Sequence, residues 1–156
     1  MRLTLILTGK TREKYLREGV EEYIKRLKHY APFSVTIIND IKVSKKTGPE
    51  QVKKMEGSQI LQHLKPADHV ILLDEAGKML SSLGFSEYLS SLEGKTGHSV
   101  FVIGGAYGFS DEVLERADAK LSLSLMTFSH QMVRLIFTEQ LYRAYTIRKG
   151  EPYHHS

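Results

Sequence analysis

The chain has 156 residues, of which 41% are hydrophobic. This length and composition suit one domain with a well-buried core, and the chain is too short for two domains that each have such a core. It has no Cys and no apolar run near the ~18 residues of a membrane span, which excludes disulfides, thiolate metal sites and membrane crossing and predicts a reducing, cytoplasmic location. The net charge of +4 is uneven, because residues 1–65 hold 14 Lys and Arg against 7 Asp and Glu, whereas residues 66–156 hold 8 against 11. A basic half suits a polyanionic partner or a solvated helical face, and charge alone leaves both open.

The first half of the sequence alternates between β-branched runs and segments with helical spacing. Apolar residues of the first long segment recur three and four positions apart, which is typical of an amphipathic helix. A Pro suits the start of the next helix, and the polar stretch before it indicates a mobile loop. The predicted elements are a strand at Arg2–Thr8, a helix at 12–29, a strand at Phe33–Ile38, a loop at 39–48 and a helix at 49–64.

The second half continues the same alternation with shorter elements. Ser110 is a suitable helix cap, and the acidic residues Asp111 and Glu112 after it favour a helix start. The predicted elements are strands at 69–73, 100–103 and 121–125, a short helix at 85–92, a helix that starts at 110–112 and a last helix at 131–147.

This alternation predicts one α/β domain over residues 1–156, with a mainly parallel sheet and helices on both faces. The last helix is apolar nearly all round, and one of its faces would cover the sheet. The remaining apolar surface favours a homodimer interface, and the alternative is a helix wedged inside the monomer.

The most unusual local sequence is an apolar strand that breaks into a glycine-rich turn late in the chain. Gly104 and Gly105 leave backbone N–H and C=O groups open to a ligand. Ligands bind beyond the carboxyl ends of parallel strands, so this turn is expected to meet the loops at 72–78 and 122–128. A nucleotide hydrolase or oxidoreductase would carry a G-x-G-x-x-G or Gly-Lys-Ser/Thr motif early in the chain, and neither is present.

A dense set of polar residues follows the third loop. Glu139 and Arg143 lie four apart, so a helix-surface ion pair is their simplest explanation, and His130 is compatible with a capping or core role. The last residues are unusual for a chain end because an aromatic and two imidazoles follow a rigid Pro. No Asp or Glu at ligand spacing completes a metal site there, and no metal is predicted.

These segments resemble the ribosomal RNA large subunit methyltransferase H family of the knotted SPOUT methyltransferases. The resemblance spans essentially the whole chain, including the opening 3–27 and the loop 73–78. Ser129 stands where the family usually has Pro, a departure that removes no functional group. The segments that carry the resemblance most specifically are 101–110, 121–131, 134–135, 139–144 and 150–154.

The resemblance implies a C-terminal trefoil knot, which periodicity alone would not suggest, within approximately residues 70–150. It also implies a homodimer with S-adenosylmethionine as cofactor. Apolar side chains would surround the adenine of the cofactor, and glycines would leave room for its ribose and methionine parts. The implied cofactor-binding residues are Leu73, Gly104, Gly105, Leu123, Ser124, Leu125, Met126, Thr127 and Phe128.

The reaction implied by the resemblance is methyl transfer to N3 of a pseudouridine in 23S rRNA. That nitrogen holds a proton, so the reaction needs a base or a group that stabilises its anion. The combined basic surface of a dimer is expected to recognise the assembled ribosome rather than free RNA. Expected catalytic residues are His130, Arg143, Tyr153, His154 and His155, and expected RNA-binding residues are Arg134, Arg148 and Lys149.

Two other functions remain open from the sequence. A non-enzymatic ribosome-associated protein would use the same basic surface without a cofactor. A methyltransferase of the same fold could instead act on tRNA, although the terminal Tyr153 and His154 favour the large-subunit enzyme.

Overall fold

Strands and helices alternate along the whole chain, as the sequence predicts. The structure is a computed structural model, and it describes residues 1–155. Its elements are β1 (Arg2–Thr8), α1 (Lys14–Leu27), β2 (Phe33–Ile38), α2 (Pro49–Gln62), β3 (His69–Met79), α3 (Ser82–Glu93), β4 (His98–Ile103), α4 (Asp111–Arg116), β5 (Ala119–Ser122) and α5 (Met132–Arg148).

The five strands form one sheet in the order β2-β1-β4-β3-β5, and every pair of neighbours is parallel. The predicted parallel α/β architecture is therefore confirmed. All strands end at the same edge of the sheet, so the loops after β1, β2, β3, β4 and β5 share that edge. We call it the carboxyl edge.

Side chains of each strand alternate between two hydrophobic clusters, one on each face of the sheet. Leu5 and Phe101 point to the face covered by α1, α3 and α5, whereas Ile6 and Val102 point to the face covered by α2 and α4. All four of these side chains are buried. Helices therefore cover both faces of the sheet.

Strand β3 is longer than predicted. The sequence predicts that it ends at Leu73, but after an irregularity the strand resumes, and Lys78 and Met79 pair with Leu121 and Ser122 of β5. Gly77 permits this pairing, since a Cβ there would lie 2.6 Å from the backbone N and C atoms of Leu121. The absence of a side chain lets the two backbones approach.

The observed boundaries of the other elements differ from the predicted ones by a few residues. Strand β5 ends at Ser122, so the predicted strand residues 123–125 belong to the following loop. Helix α3 begins three residues earlier than predicted because Ser81 accepts a hydrogen bond from the Gly84 N–H. The predicted cap at Ser110 is confirmed, since its hydroxyl accepts from the Val113 N–H.

Helix α5 lies between α1 and α3 on one face of the sheet. Phe137, Leu141, Ala144 and Tyr145 are buried there, so contacts within one chain account for much of the apolar character that the sequence shows. The other side of the helix, which includes Ile136 and Gln140, is half-buried. Among residues 1–155, no helix is long and apolar enough to cross a membrane.

Candidate functional site

The carboxyl edge holds a cleft of about 360 Å³ between the ends of β3, β4 and β5, which we call the main cleft. Its volume lies in the range of small-molecule sites. All three loops singled out in the sequence contribute to it. The predicted residues that line it are Leu73, Gly104, Gly105, Leu123, Ser124, Met126, Thr127, Phe128 and His130.

The glycine turn forms one wall of the main cleft. The Gly108 N–H donates to the Gly105 carbonyl at 3.2 Å, and Gly108 has a φ of +81°, which favours glycine. A Cβ on Gly105 would lie 2.4 Å from Oε2 of Glu56, so this carboxyl group lies against the bare backbone. Burial, with a smaller contribution from Asp40, raises the pKa of Glu56.

The loop after β5 forms the opposite wall and is braced by its own serines. Ser122 donates to the Ser124 carbonyl at 2.9 Å, and Ser124 Oγ accepts from the Met126 N–H at 3.0 Å. Leu125 is the one predicted cofactor-binding residue that does not line the main cleft, and it is 87% exposed. The tight turn at Ser124 leaves that side chain outside.

His130 is the predicted catalytic residue that the structure brings to the main cleft. Burial lowers the pKa of His130, and the cations Arg134 and Arg12 act in the same direction while Asp40 opposes them. A lowered pKa keeps the imidazole neutral near pH 7, the form that can accept a proton.

Arg134 does not face solvent, and its predicted contact with an RNA phosphate is wrong in this structure. Its exposure is 0%. The guanidinium donates to the carbonyls of Thr8 at 2.6 Å and Gly9 at 2.8 Å and to the Thr11 hydroxyl at 3.1 Å. Burial lowers its pKa to about 10, which still leaves it charged at neutral pH. Arg134 instead ties α5 to the end of β1.

The chain end folds back onto α5 and forms what we call the C-terminal cluster, which consists of Glu139, Arg143, Tyr153 and His154. Glu139 Oε1 accepts from Arg143 Nε at 3.1 Å and from the Tyr153 hydroxyl at 3.0 Å. The Arg143 guanidinium lies 4.8 Å from the centre of the Tyr153 ring and 3.2 Å from His154 Nδ1. The predicted ion pair of Arg143 is therefore confirmed, within a larger network.

This network changes the acid–base properties of its members. Its hydrogen bond to Glu139 raises the pKa of Arg143. Burial and the hydrogen bonds to Tyr23 and Glu139 raise the pKa of Tyr153, so the phenol stays protonated at neutral pH. Arg143 thus supplies a fixed positive charge and Tyr153 a hydroxyl donor.

The main cleft and the C-terminal cluster lie far apart within one chain. His130 precedes α5 at its cleft end, whereas Arg143 follows Met132 by eleven residues, which is about 17 Å along the helix axis. A single chain therefore does not bring His130 together with Arg143, Tyr153 and His154.

The other residues predicted from the C-terminal segment are also remote from the main cleft. Arg148 forms an ion pair with Glu93 and lies 5.2 Å from the centre of the Tyr145 ring. Lys149 is exposed beside the Tyr30 ring, and His155 is exposed. Within the described part of the chain, no group of three or more His, Asp or Glu side chains could hold a metal ion.

Tyr107 and Glu56 are two of the residues at the main cleft that were not predicted as site residues. Tyr107 lines the cleft and is largely exposed, and its place inside the glycine turn was the available signal. No sequence pattern indicates a site at Glu56, because this residue lies on α2 in a segment of ordinary helical composition. Glu56 reaches the glycine turn only because α2 packs beside that turn.

A second cavity of about 400 Å³ lies beside the main cleft and shares Leu73 and Phe128 with it. It lies between the start of α3 and the half-buried side of α5, where Ile136 and Gln140 line it.

Comparison with known proteins agrees with this geometry. Residues 1–154 match the family described as "Predicted SPOUT methyltransferase". The chain is 54% identical to a protein of Christiangramia forsetii and 51% identical to one of Porphyromonas gingivalis, each over 157 residues and 99% of both chains. A protein of Flavobacterium johnsoniae is 52% identical over 156 residues, and all three carry the name "Ribosomal RNA large subunit methyltransferase H". A family match over nearly the full length and relatives above 50% identity place this chain in the SPOUT methyltransferase family.

Proposed function

We propose that this protein transfers a methyl group from S-adenosylmethionine to N3 of a pseudouridine in 23S rRNA on the assembled ribosome. The observation that carries the proposal is the main cleft, formed by a glycine turn and an apolar loop in a chain of the SPOUT family. The names of the full-length relatives support large-subunit rRNA as the substrate class.

The lining of the main cleft suits a cofactor with a flat apolar base and a polar tail. Leu73, Leu123 and Phe128 offer apolar surface, whereas Gly104 and Gly105 leave backbone groups accessible. When bound there, S-adenosylmethionine supplies an activated methyl group. The side chains around it orient the reactants and exclude water.

We propose that residues 70–150 contain the trefoil knot of the SPOUT fold. The support is the path of the chain around the main cleft. Strand β5 pairs with β3 both before and after the irregularity at 73–78, so these two segments are closely interleaved.

We further propose that the active enzyme is a homodimer in which each site combines two chains. The separation of about 17 Å along α5 supports this, because residues for one reaction need to meet. A two-fold axis beside α5 would carry the C-terminal cluster of one chain to the main cleft of the other. The half-buried side of α5 and the second cavity provide the contact surface.

In this composite site, proton removal and charge stabilisation fall to different residues. Neutral His130 accepts the N3 proton, directly or through water, while the fixed charge of Arg143 stabilises the negative charge that spreads onto the uracil carbonyls. Tyr153, His154 and His155 orient the base. His130→Ala, Arg143→Ala and Tyr153→Ala are each expected to abolish turnover while cofactor binding survives.

The direct test combines two measurements. Titration calorimetry with S-adenosylmethionine should show binding, and mass spectrometry of 23S rRNA should show that the protein adds one methyl group to a pseudouridine in assembled ribosomes from a strain that lacks the protein. Absence of cofactor binding would favour the non-enzymatic RNA-binding protein. Methylation of tRNA instead of rRNA would favour the other SPOUT activity.

A further inference from the structure

The turn between β1 and α1 lies at the rim of the main cleft. Strand β1 is the neighbour of β4 in the sheet, so the residues after Thr8 lie beside the glycine turn that follows β4. Gly9 has a φ of +79°, and a Cβ there would lie 2.3 Å from Oδ1 of Asp40. The chain therefore turns sharply at Gly9 and exposes Lys10.

This turn is fixed to the segment that follows the third loop of the cleft. Gln131 Oε1 accepts from the Arg12 N–H at 2.9 Å, and Gln131 Nε2 donates to the Lys10 carbonyl at 3.2 Å. The buried guanidinium of Arg134 holds the carbonyls of Thr8 and Gly9. These contacts use the backbone of the turn, so its cationic side chains stay available to a partner.

The charge of the turn is poorly neutralised by its neighbours. The Arg12 side chain is 72% exposed, and its carboxylate partner Asp40 is 3.8 Å away and 58% exposed, which makes a weak pair. The loop after β2 lies at the same edge of the sheet and adds the exposed residues Lys42, Lys45 and Lys46. Both loops therefore place exposed cationic side chains at the carboxyl edge, on the β1–β2 side of the main cleft.

We infer that Lys10 and Arg12 bind the phosphate backbone of the rRNA substrate and so hold the target nucleotide at the main cleft. The inference rests on the proposed function, and it assigns phosphate contact to this turn in place of Arg134. Arg134 and Gln131 act as positioning residues that hold the turn. An RNA is favoured over an acidic protein because exposed, separated cations suit regularly spaced phosphates.

The test is the double substitution Lys10→Gln and Arg12→Gln in the full-length protein. Binding to purified assembled ribosomes is measured at several salt concentrations. We expect affinity to fall roughly tenfold and the slope of log affinity against log salt to become shallower by about 1 to 2, since two phosphate contacts are lost. Titration with S-adenosylmethionine should be unchanged.

The matched control is Arg2→Gln with Lys95→Gln, which removes the same two charges from the opposite edge of the sheet, where both residues are exposed. The control variant should bind ribosomes as tightly as the unchanged protein does. Equal losses in both variants, or a loss without a change in salt slope, would overturn the inference. If the unchanged protein binds no S-adenosylmethionine but the double substitution still weakens ribosome binding, the proposed function fails, whereas the phosphate contact of Lys10 and Arg12 is supported.

Discussion

Arg134 shows how a charged side chain can serve a site without contacting a ligand. The family resemblance suggested that this residue contacts an RNA phosphate. The structure buries it and gives its guanidinium three acceptors from residues 8–11. Sequence alone does not distinguish these two roles, since both require a guanidinium.

Arg134→Ala should therefore destabilise the fold. Three buried acceptors would lose their donor, so we expect the free energy of unfolding to fall by at least about 2 kcal/mol in urea titrations. Arg17→Ala, at an exposed position of α1, is the control and should change stability little. If Arg134→Ala keeps full stability but binds RNA more weakly, a direct contact between Arg134 and an RNA phosphate would be supported instead.

The protonation of His130 should respond to Arg12. Removing this cation in Arg12→Gln favours the protonated imidazole, so the pKa of His130 should rise and the acidic limb of the activity profile should move to higher pH. NMR titration of the imidazole C–H signals measures the first effect, and added salt should reduce it. Lys14→Gln is the control, and an unchanged or lower pKa in Arg12→Gln would refute the assignment.

The three loops that form the main cleft could be predicted from the sequence, because glycines and apolar residues at strand ends are unusual, whereas the individual cofactor-binding residues were implied by the family resemblance. Gly104, Leu123 and Phe128 are examples that the structure places together. Glu56 could not be predicted, since its contact with Gly105 joins α2 to a turn nearly fifty residues later.

At the scale of elements, the pairing of β3 with β5 shapes the main cleft. The polar residues Asp74 and Glu75 suggested that the strand ends at Leu73, and hydrophobic periodicity gave no reason to extend it. The extension depends on the close approach of Gly77 to Leu121, a contact between backbones that no local pattern reveals.

Gly77→Ala should disturb this pairing. Its Cβ would meet backbone atoms that cannot rotate away, so we expect a loss of about 1–3 kcal/mol in unfolding free energy and weaker binding of S-adenosylmethionine. Thermal unfolding and calorimetry measure the two effects. Gly94→Ala, where no atom lies within 4 Å of the new Cβ, should leave both unchanged. Equal behaviour of the two variants would show that the close approach is unimportant.

At the scale of the whole molecule, the sequence predicted the parallel sheet and its two covered faces, because both follow from hydrophobic periodicity. It also suggested a homodimer from the apolar last helix, yet α1 and α3 bury much of that helix within one chain. The stronger reason for a dimer is now the distance between His130 and the C-terminal cluster. Threading of the knot leaves no trace in periodicity and was expected only from the family resemblance.

The proposed composite site makes a definite prediction for mixed dimers. A dimer of one His130→Ala chain and one Tyr153→Ala chain has one site with both substitutions and one site with neither. Two inactive proteins should therefore regain activity when their subunits exchange, whereas a site within one chain would stay defective in both subunits.

The decisive measurement is methylation of assembled ribosomes by co-expressed His130→Ala and Tyr153→Ala chains. Random pairing should restore about a quarter of the unchanged activity, because half of the dimers are mixed and each mixed dimer has one intact site. Each variant alone should be inactive, with S-adenosylmethionine binding retained. No recovery in a confirmed mixed dimer would contradict a site shared between two chains.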